Sequence, residues 1–236
     1  MVVHSFPTLI QGGMGAGVSS WRLARAVAAA GQLGVVAGTA LDTILARRLQ
    51  LGDAAGHVRR ALDQLPIRGV ARRILDRFYV PGGKSRDEPF KALPLLDADA
   101  TREREELIVA ANFVEVFLAK EGHEGLVGIN YLEKIQLPTL PSLFGAMLAG
   151  VDFVLMGAGI PRAIPGVLDD LAAGRPTQLA LDVEDAAAGS GHAVHFDPEA
   201  ICTAGVPQLR RPRFLAIVAS ASVAMVMARK STGRVD

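Results

Sequence analysis

Apolar runs and amphipathic stretches alternate along most of the chain. The apolar runs predict strands at residues 8–10, 33–38, 126–130, 151–156 and 214–219. The amphipathic stretches predict helices at residues 20–30, 143–149, 165–173 and 223–230. Strands that alternate with helices are typical of βαβ units around a parallel sheet. Because these strands are near-continuous runs of Val, Ile and Leu, we expect helices to cover both faces of the sheet.

Two segments interrupt this alternation. Residues 42–123 are mostly helical, with a loop rich in Pro, Gly and Lys at 79–94, and we interpret them as a helical insertion after the second strand. Paired arginines recur in this segment: Arg47 and Arg48, Arg59 and Arg60, Arg72 and Arg73. Such pairs could bind phosphate, but a solvated helix face with intrahelical ion pairs is favoured. Residues 177–183 and 193–196, joined by 186–191, predict a β-hairpin.

The composition fits this prediction and excludes several classes of protein. Half of the 236 residues are apolar, and the mean hydropathy is +0.30. The formal net charge of +1 gives no field that would favour nucleic acid or an anionic membrane. Cys202 is the single cysteine, which excludes an internal disulfide and a cysteine-based zinc site and favours a cytoplasmic location. The most apolar run, residues 214–228, is shorter than the roughly 20 residues of a membrane span.

The number of predicted strands limits the choice of fold. A complete (β/α)8 barrel typically needs about 250 residues, and the helical insertion leaves room for about five βα units. An open sheet and a truncated barrel both agree with this count. We favour a single domain over residues 1–236 that forms an incomplete TIM barrel, with bare strand edges and one uncovered apolar face where further units would lie.

The most informative stretch is the glycine-rich segment from Gln11 to Ser19. Its glycines are Gly12, Gly13, Gly15 and Gly17. They lie between the first predicted strand and the first predicted helix, where a backbone without side chains can pass close to a planar or anionic ligand. The N-terminus of the following helix offers unpaired N–H groups. A strand, a glycine-rich turn and a helix together predict a ligand-binding corner.

The motifs of this chain, in their order, resemble those of the nitronate monooxygenase family, formerly called 2-nitropropane dioxygenases. The resemblance is carried by PTLIQGGMG at 7–15, LARAVAAAG at 23–31, LGVV at 33–36, VGIN at 127–130, VDFV at 151–154 and AIVAS at 216–220. Members of that family are FMN-dependent TIM barrels, so the resemblance implies FMN as the cofactor. It covers the chain apart from the helical insertion and the hairpin.

The resemblance also implies the residues that would contact the flavin. They are Gly12, Gly13, Met14, Gly15, Asn130 and Ser220. The glycine segment would lie against the ring, and Asn130, at the end of the third predicted strand, would hydrogen-bond the ring edge. An amide suits that edge because it offers both a donor and an acceptor. Ser220 would lie near the cofactor at the end of the fifth predicted strand. These positions are at the carboxyl ends of strands, where barrel enzymes build their active sites.

By the same resemblance, the activity would be that of a flavoprotein oxidoreductase. It would oxidise alkyl nitronates or nitroalkanes with dioxygen to a carbonyl compound and nitrite. The family's Gly-Gly-His motif with its catalytic histidine, and its phosphate-binding loops, follow later strands and have no match here. We therefore assign no catalytic residue, and we expect the isolated chain to be an inactive fragment that binds FMN weakly or not at all. His192 follows a serine and a glycine in the predicted hairpin, and we give it no catalytic role.

Two other functions stay open. One is an enoyl-ACP reductase that depends on FMN and NAD(P)H, and the other is a non-catalytic half-barrel that acts through association. The expected partner is a small-molecule substrate, a nitronate or an enoyl thioester, and the chain could form a homodimer. The helical insertion could form a lid, a dimer surface or a dock for a carrier protein. No metal site is predicted, because the spacing of His192 and His195 places their rings on opposite faces of an extended segment.

Overall fold

The computed structural model describes residues 7–97, 100–181, 183 and 191–236. Its helices are α1 (Trp21–Ala29), α2 (Leu41–Gln50), α3 (His57–Leu62), α4 (Val70–Phe78), α5 (Arg102–Lys120), α6 (Thr139–Leu148), α7 (Ile164–Ala172), α8 (Pro198–Ile201) and α9 (Ala221–Lys230). Its strands are β1 (Gly34–Ala37), β2 (Val127–Leu132), β3 (Phe153–Gly157), β4 (Thr177–Ala180), β5 (Ala193–Phe196) and β6 (Arg213–Ala216).

The main sheet is parallel and follows the order of the chain, β1-β2-β3-β6. The first predicted strand, residues 8–10, is reduced to a single parallel bridge between Ile10 and Leu33 at the free edge of β1. Gln11 N donates to Leu33 O at 3.0 Å beside it. The predicted parallel α/β arrangement is confirmed, and neighbouring strands that follow chain order are consistent with part of an α/β barrel.

Side chains alternate between the two faces of this sheet. Val36, Ile129, Val154 and Phe214 stand opposite one another in register and are fully buried in the core that the helices share. The other face carries a separate small cluster around Val35, whose buried members are Leu33, Val35, Phe153 and Leu155. Within the described ranges no helix contributes to that second cluster. The expectation that helices cover both faces was therefore wrong, since strand residues pack against one another on the second face.

The segment predicted as a helical insertion contains four helices in its described part, α2 to α5. Helix α5 is largely buried and packs against α1, α6 and β2. It runs between the end of β1 and the start of β2, so it is the helix that covers this βα unit. Helices α2, α3 and α4 pack on α5, and most of the predicted loop at 79–94 is irregular.

Three of the six paired arginines reach acidic residues in or just after α5 rather than a partner in their own helix. Arg48 Nη1 lies 2.5 Å from Glu115 Oε2, Arg73 Nη2 lies 2.7 Å from Glu106 Oε1, and Arg60 Nη2 lies 2.8 Å from Glu121 Oε2. Arg72 has an intrahelical partner, Asp76, at 3.7 Å. The expectation of intrahelical pairs on a solvated face was thus wrong for Arg48, Arg60 and Arg73. Their guanidinium groups form ion pairs that connect α2, α3 and α4 to acidic residues in and just after α5.

Glu115 has a second role in this region. Its side chain is 3% exposed, and its Oε1 accepts a hydrogen bond from Trp21 N at 2.8 Å. Ser20, which precedes α1, makes no side-chain cap, so this carboxylate satisfies an N–H at the start of α1. A negative charge is also favourable at the N-terminus of a helix. One buried carboxylate therefore connects α1, α2 and α5.

The predicted hairpin is present as the antiparallel pair β4 and β5. Residues 182 and 184–190, which include most of its predicted connection, lie outside the described residues. A short helix, α8, follows β5 and was not predicted. Among the helices of the described ranges, none combines the length and the apolar character needed to cross a membrane.

Candidate functional site

The glycine-rich turn lies directly against the carboxyl end of β1. A side chain at Gly13 would place its Cβ 2.6 Å from Val35 Cγ1 and 2.7 Å from Val36 O, so glycine is required there by close packing. Gly15 adopts a positive φ of 80°, a conformation that glycine reaches without strain. Gly12, in contrast, has open space around its Cβ position. The glycines of this turn therefore serve different purposes, and Gly12 is the one that leaves room for another molecule.

Two polar side chains that sequence reasoning did not single out hold this turn in place. Gln11 Oε1 accepts from Val35 N at 3.0 Å, and Gln11 Nε2 donates to Ser19 Oγ at 3.2 Å and to Gly12 O at 2.5 Å. Ser19 Oγ donates to Met14 O at 2.8 Å. Gln11 thus supplies the hydrogen bond that a longer first strand would have given to β1. The sequence feature that could have identified these two residues is a glutamine directly before the glycines and a serine at the far end of the turn.

Asn130 lies beneath the glycine-rich turn. It is the fourth residue of β2, opposite Ala37 and Leu155, and the strand continues to Leu132. The sequence-based expectation that Asn130 ends its strand was therefore wrong by two residues. Its side chain is nonetheless on the face of the sheet that the turn covers. Asn130 Nδ2 donates to Gly13 O at 3.3 Å and lies 3.3 Å from Met14 Sδ.

The acceptor half of the Asn130 carboxamide is unsatisfied. Asn130 is 4% exposed, and its Oδ1 is a buried atom that receives no hydrogen bond from any described residue. Buried polar atoms are usually paired, and one that is not needs an explanation such as a missing ligand or water. The structure thus brings Gly13, Met14 and Asn130 together, as predicted, and leaves Asn130 Oδ1 as a buried acceptor without a partner among the described residues.

Ser220 and the remaining predicted positions have different surroundings. Ser220 is the N-cap of α9, and its exposed Oγ accepts from Val223 N at 3.3 Å. It follows β6, which lies two strands from β2 at the same edge of the sheet. Capping accounts for the serine without a ligand. Gly15 O accepts from Val18 N at 3.0 Å within the turn.

A cavity of about 200 Å³ lies nearby, between the ends of β1 and β2 and the helices α5 and α6. Tyr131 lines it, and its hydroxyl is 2.8 Å from Asn112 Oδ1 and 3.0 Å from Ser142 O. Burial raises the pKa of Tyr131 well above its ordinary value, so the phenol stays neutral. Tyr131 points to the helical side of β2, whereas Asn130 points to the opposite side. The cavity is therefore separate from the site under the glycine-rich turn.

The histidines and the cysteine do not form a site in the described residues. No group of three His, Cys, Asp or Glu side chains that could hold a metal ion occurs in the described ranges. His192 and His195 are exposed. Cys202 is buried, and burial raises the pKa of its thiol, as expected of a cysteine that packs as a small apolar side chain.

The sequence was compared with protein-family models and with curated proteins. No family model matches it, and no curated protein matches it at a significant level. The geometry of the site must therefore carry any functional argument.

Proposed function

We propose that this chain provides the ring-binding rim of an FMN-dependent oxidoreductase of the nitronate monooxygenase type. The observation that carries the proposal is the unpaired, buried Oδ1 of Asn130, a residue whose Nδ2 contacts Gly13 and Met14 of the glycine-rich turn. A neutral carboxamide acceptor at the carboxyl edge of parallel strands suits a planar heterocycle with N–H groups along one edge. The open space at Gly12 supports the proposal, because a flat ring needs close access to the backbone.

The residues of the site divide into those that would contact the ring and those that position them. Asn130 would bind the ring edge, and the backbone of Gly12 and Met14 would lie along its face. Gln11 and Ser19 hold that backbone against β1 through the hydrogen bonds described above. Bound FMN would supply an electron acceptor for the oxidation of an alkyl nitronate by dioxygen to a carbonyl compound and nitrite. The protein residues named here bind and orient, and none of them is assigned as an acid or a base.

A titration of the purified chain with FMN and with lumiflavin, followed by flavin fluorescence, tests the proposal. We expect weak binding, with a Kd of about 0.1–1 mM, that is nearly equal for the two ligands, because the proposed contacts are to the ring. Replacing Asn130 by Ala removes a neutral hydrogen bond and should weaken binding about fivefold. The control is Gln178→Ala, which removes an exposed carboxamide from β4. Absence of binding at millimolar flavin, or equal affinities for wild type and Asn130→Ala, contradicts the proposal.

A stopped-flow experiment separates this activity from that of an enoyl-ACP reductase. Under anaerobic conditions with saturating FMN, any reduction of the flavin that the protein supports should come from an alkyl nitronate and not from NADPH. Rapid reduction by NADPH would instead favour the reductase. Flavin binding that depends on Asn130, without reduction by either compound, would limit the function to binding.

A further inference from the structure

Arg104 is a buried arginine that uses little of its hydrogen-bonding capacity. Its side chain is 11% exposed, and its Nη2 donates to Asp42 Oδ2 at 2.5 Å. Its Nε and Nη1 are buried and have no hydrogen-bond partner among the described residues. A guanidinium is always charged and has donors on all three nitrogens, and a buried polar group without a partner needs an explanation such as a ligand. Arg104 is also the third residue of α5, where a positive charge is unfavourable for the helix itself.

A cavity of about 540 Å³ lies beside Arg104, between α4 and α5. Small-molecule sites typically have volumes of about 300–1,000 Å³ and mostly apolar walls. The apolar residues that line this cavity are Ile74, Phe78, Leu93, Pro94 and Leu107. Arg104 lines it as well, whereas its partner Asp42 does not. The guanidinium therefore reaches from the wall of the cavity to a carboxylate outside that wall.

The acidic side chains of the cavity wall already have partners of their own. Their ion pairs are Glu106 with Arg73 at 2.7 Å, Glu103 with Arg77 at 2.9 Å and Asp76 with Arg72 at 3.7 Å. No carboxylate of the wall forms an ion pair with Arg104 in the described ranges, where its partner is Asp42. Arg104 is thus the cation of the wall that no carboxylate of the wall neutralises.

We propose that this cavity binds a carboxylic acid with an apolar chain, with the carboxylate beside Arg104 and the chain against the apolar wall. Hydrogen bonds between a guanidinium and a carboxylate are among the strongest in proteins. An apolar chain fits the aliphatic and aromatic lining, which is otherwise left in contact with water. The cavity shares no residue with the site under the glycine-rich turn, so this proposal is independent of flavin binding.

Isothermal titration of the purified chain with octanoate and with 1-octanol tests the proposal. The two probes have the same chain length and differ in the head group. We expect octanoate to bind about tenfold more tightly, because only its head group is an anion. Equal affinities for the two probes, or no binding of octanoate at millimolar concentration, would overturn the proposal.

Two variants change the Arg104 ion pair in different ways. Asp42→Asn removes the charge that competes for Arg104, so octanoate should bind about fivefold more tightly than to the wild type. The double variant Asp42→Asn/Arg104→Met removes both charges without leaving a buried carboxylate unpaired, and it should bind octanoate no more tightly than octanol. Retained octanol binding shows that the cavity is still formed in each variant.

Asp170→Asn is the matched control for net charge. It breaks the ion pair of Asp170 with Arg175, neither of which lines the cavity, and should leave the affinity for octanoate at the wild-type value. If Asp42→Asn and Asp170→Asn bind octanoate equally, or if the double variant still prefers octanoate to octanol, Arg104 does not hold the carboxylate and the proposal is overturned.

Discussion

Replacing Gly13 by Ala is the sharpest test of how the glycine-rich turn is held on the sheet. The added Cβ would lie 2.6 Å from Val35 Cγ1, 2.7 Å from Val36 O and 3.0 Å from Asn130 Cβ. The first neighbour is a β-branched side chain with a stiff χ1 angle, and the second is backbone in the middle of β1. Neither can yield without moving the strand. The turn must therefore lift from the sheet, or β1 must shift.

The expected loss of stability follows from these contacts. Adding a methyl group to a well-packed site typically costs 1–3 kcal/mol, and the backbone contact places Gly13→Ala in the upper part of that range, at about 2–3 kcal/mol. If the turn lifts instead, the hydrogen bond from Asn130 Nδ2 to Gly13 O is lost, at about 1 kcal/mol. The contacts of the turn with Val35 would be lost with it. Either response destabilises the protein and disturbs the Asn130 carboxamide.

Gly12 provides a matched control one residue away. Nothing lies within 4 Å of its Cβ position, so Gly12→Ala meets no obstacle. Its general effect is to reduce the conformational entropy of the unfolded chain. The free energy of unfolding should therefore stay the same or rise by up to about 1 kcal/mol. Free energies of unfolding from urea titrations of the two variants and wild type give the comparison. If the free energies of unfolding of Gly13→Ala and Gly12→Ala differ by less than about 0.5 kcal/mol, the close packing of the turn on β1 is refuted.

Two further predictions concern carboxylates of α5: Glu115, which is buried, and Glu105, which is half-buried. Glu115→Ala leaves Arg48 and the N-terminus of α1 without their shared partner and should lower the free energy of unfolding in urea by about 3–5 kcal/mol. The control is Asp76→Asn, which breaks an ion pair whose side chains are 87% and 70% exposed and should change the free energy of unfolding by less than about 0.5 kcal/mol. Equal effects of the two substitutions would contradict the buried role of Glu115. Burial raises the pKa of Glu105 from 4.5 to about 7. Between these two pH values the folded state therefore binds more protons than the unfolded state. The free energy of unfolding should fall as the pH rises from 4.5 to about 7 and level off above that. Glu105→Gln should flatten that fall, whereas Glu88→Gln, at an exposed position, should not, and identical pH profiles for wild type and Glu105→Gln would disprove the assignment.

Much of the fold could be predicted from local sequence patterns. Alternating apolar and amphipathic stretches identified the strands of the parallel sheet, and parallel pairing brings their carboxyl ends to one edge. That rule is why Met14 and Asn130, which are 116 positions apart, were expected to meet, and they do. The hairpin of β4 and β5 was also predicted from its local sequence. These features depend on residues that are close in sequence or on a general rule of chain topology.

The ion pairs could not be predicted in the same way. Arg48 and Glu115 are 67 positions apart, and their contact depends on how α2 packs against α5. An arginine on an amphipathic helix pairs equally well with a neighbour one turn away, and local patterns give no reason to prefer a distant partner. The second face of the sheet was missed for a related reason. A continuous apolar run shows that a strand is buried on both sides, but it does not show whether helices or other strands cover it.

The unpaired acceptor at Asn130 arises from the packing of a residue that has no side chain. Because Gly13 lacks a Cβ, its backbone approaches β1 and β2 closely enough for its carbonyl to accept from Asn130 Nδ2. That bond commits Nδ2 to the turn, and Oδ1 stays buried without a hydrogen-bond donor among the described residues. A larger residue at position 13 would hold the turn farther away and leave the amide free to rotate. The chemical character of the site, an acceptor that requires a donor, is therefore set by Gly13 as much as by Asn130.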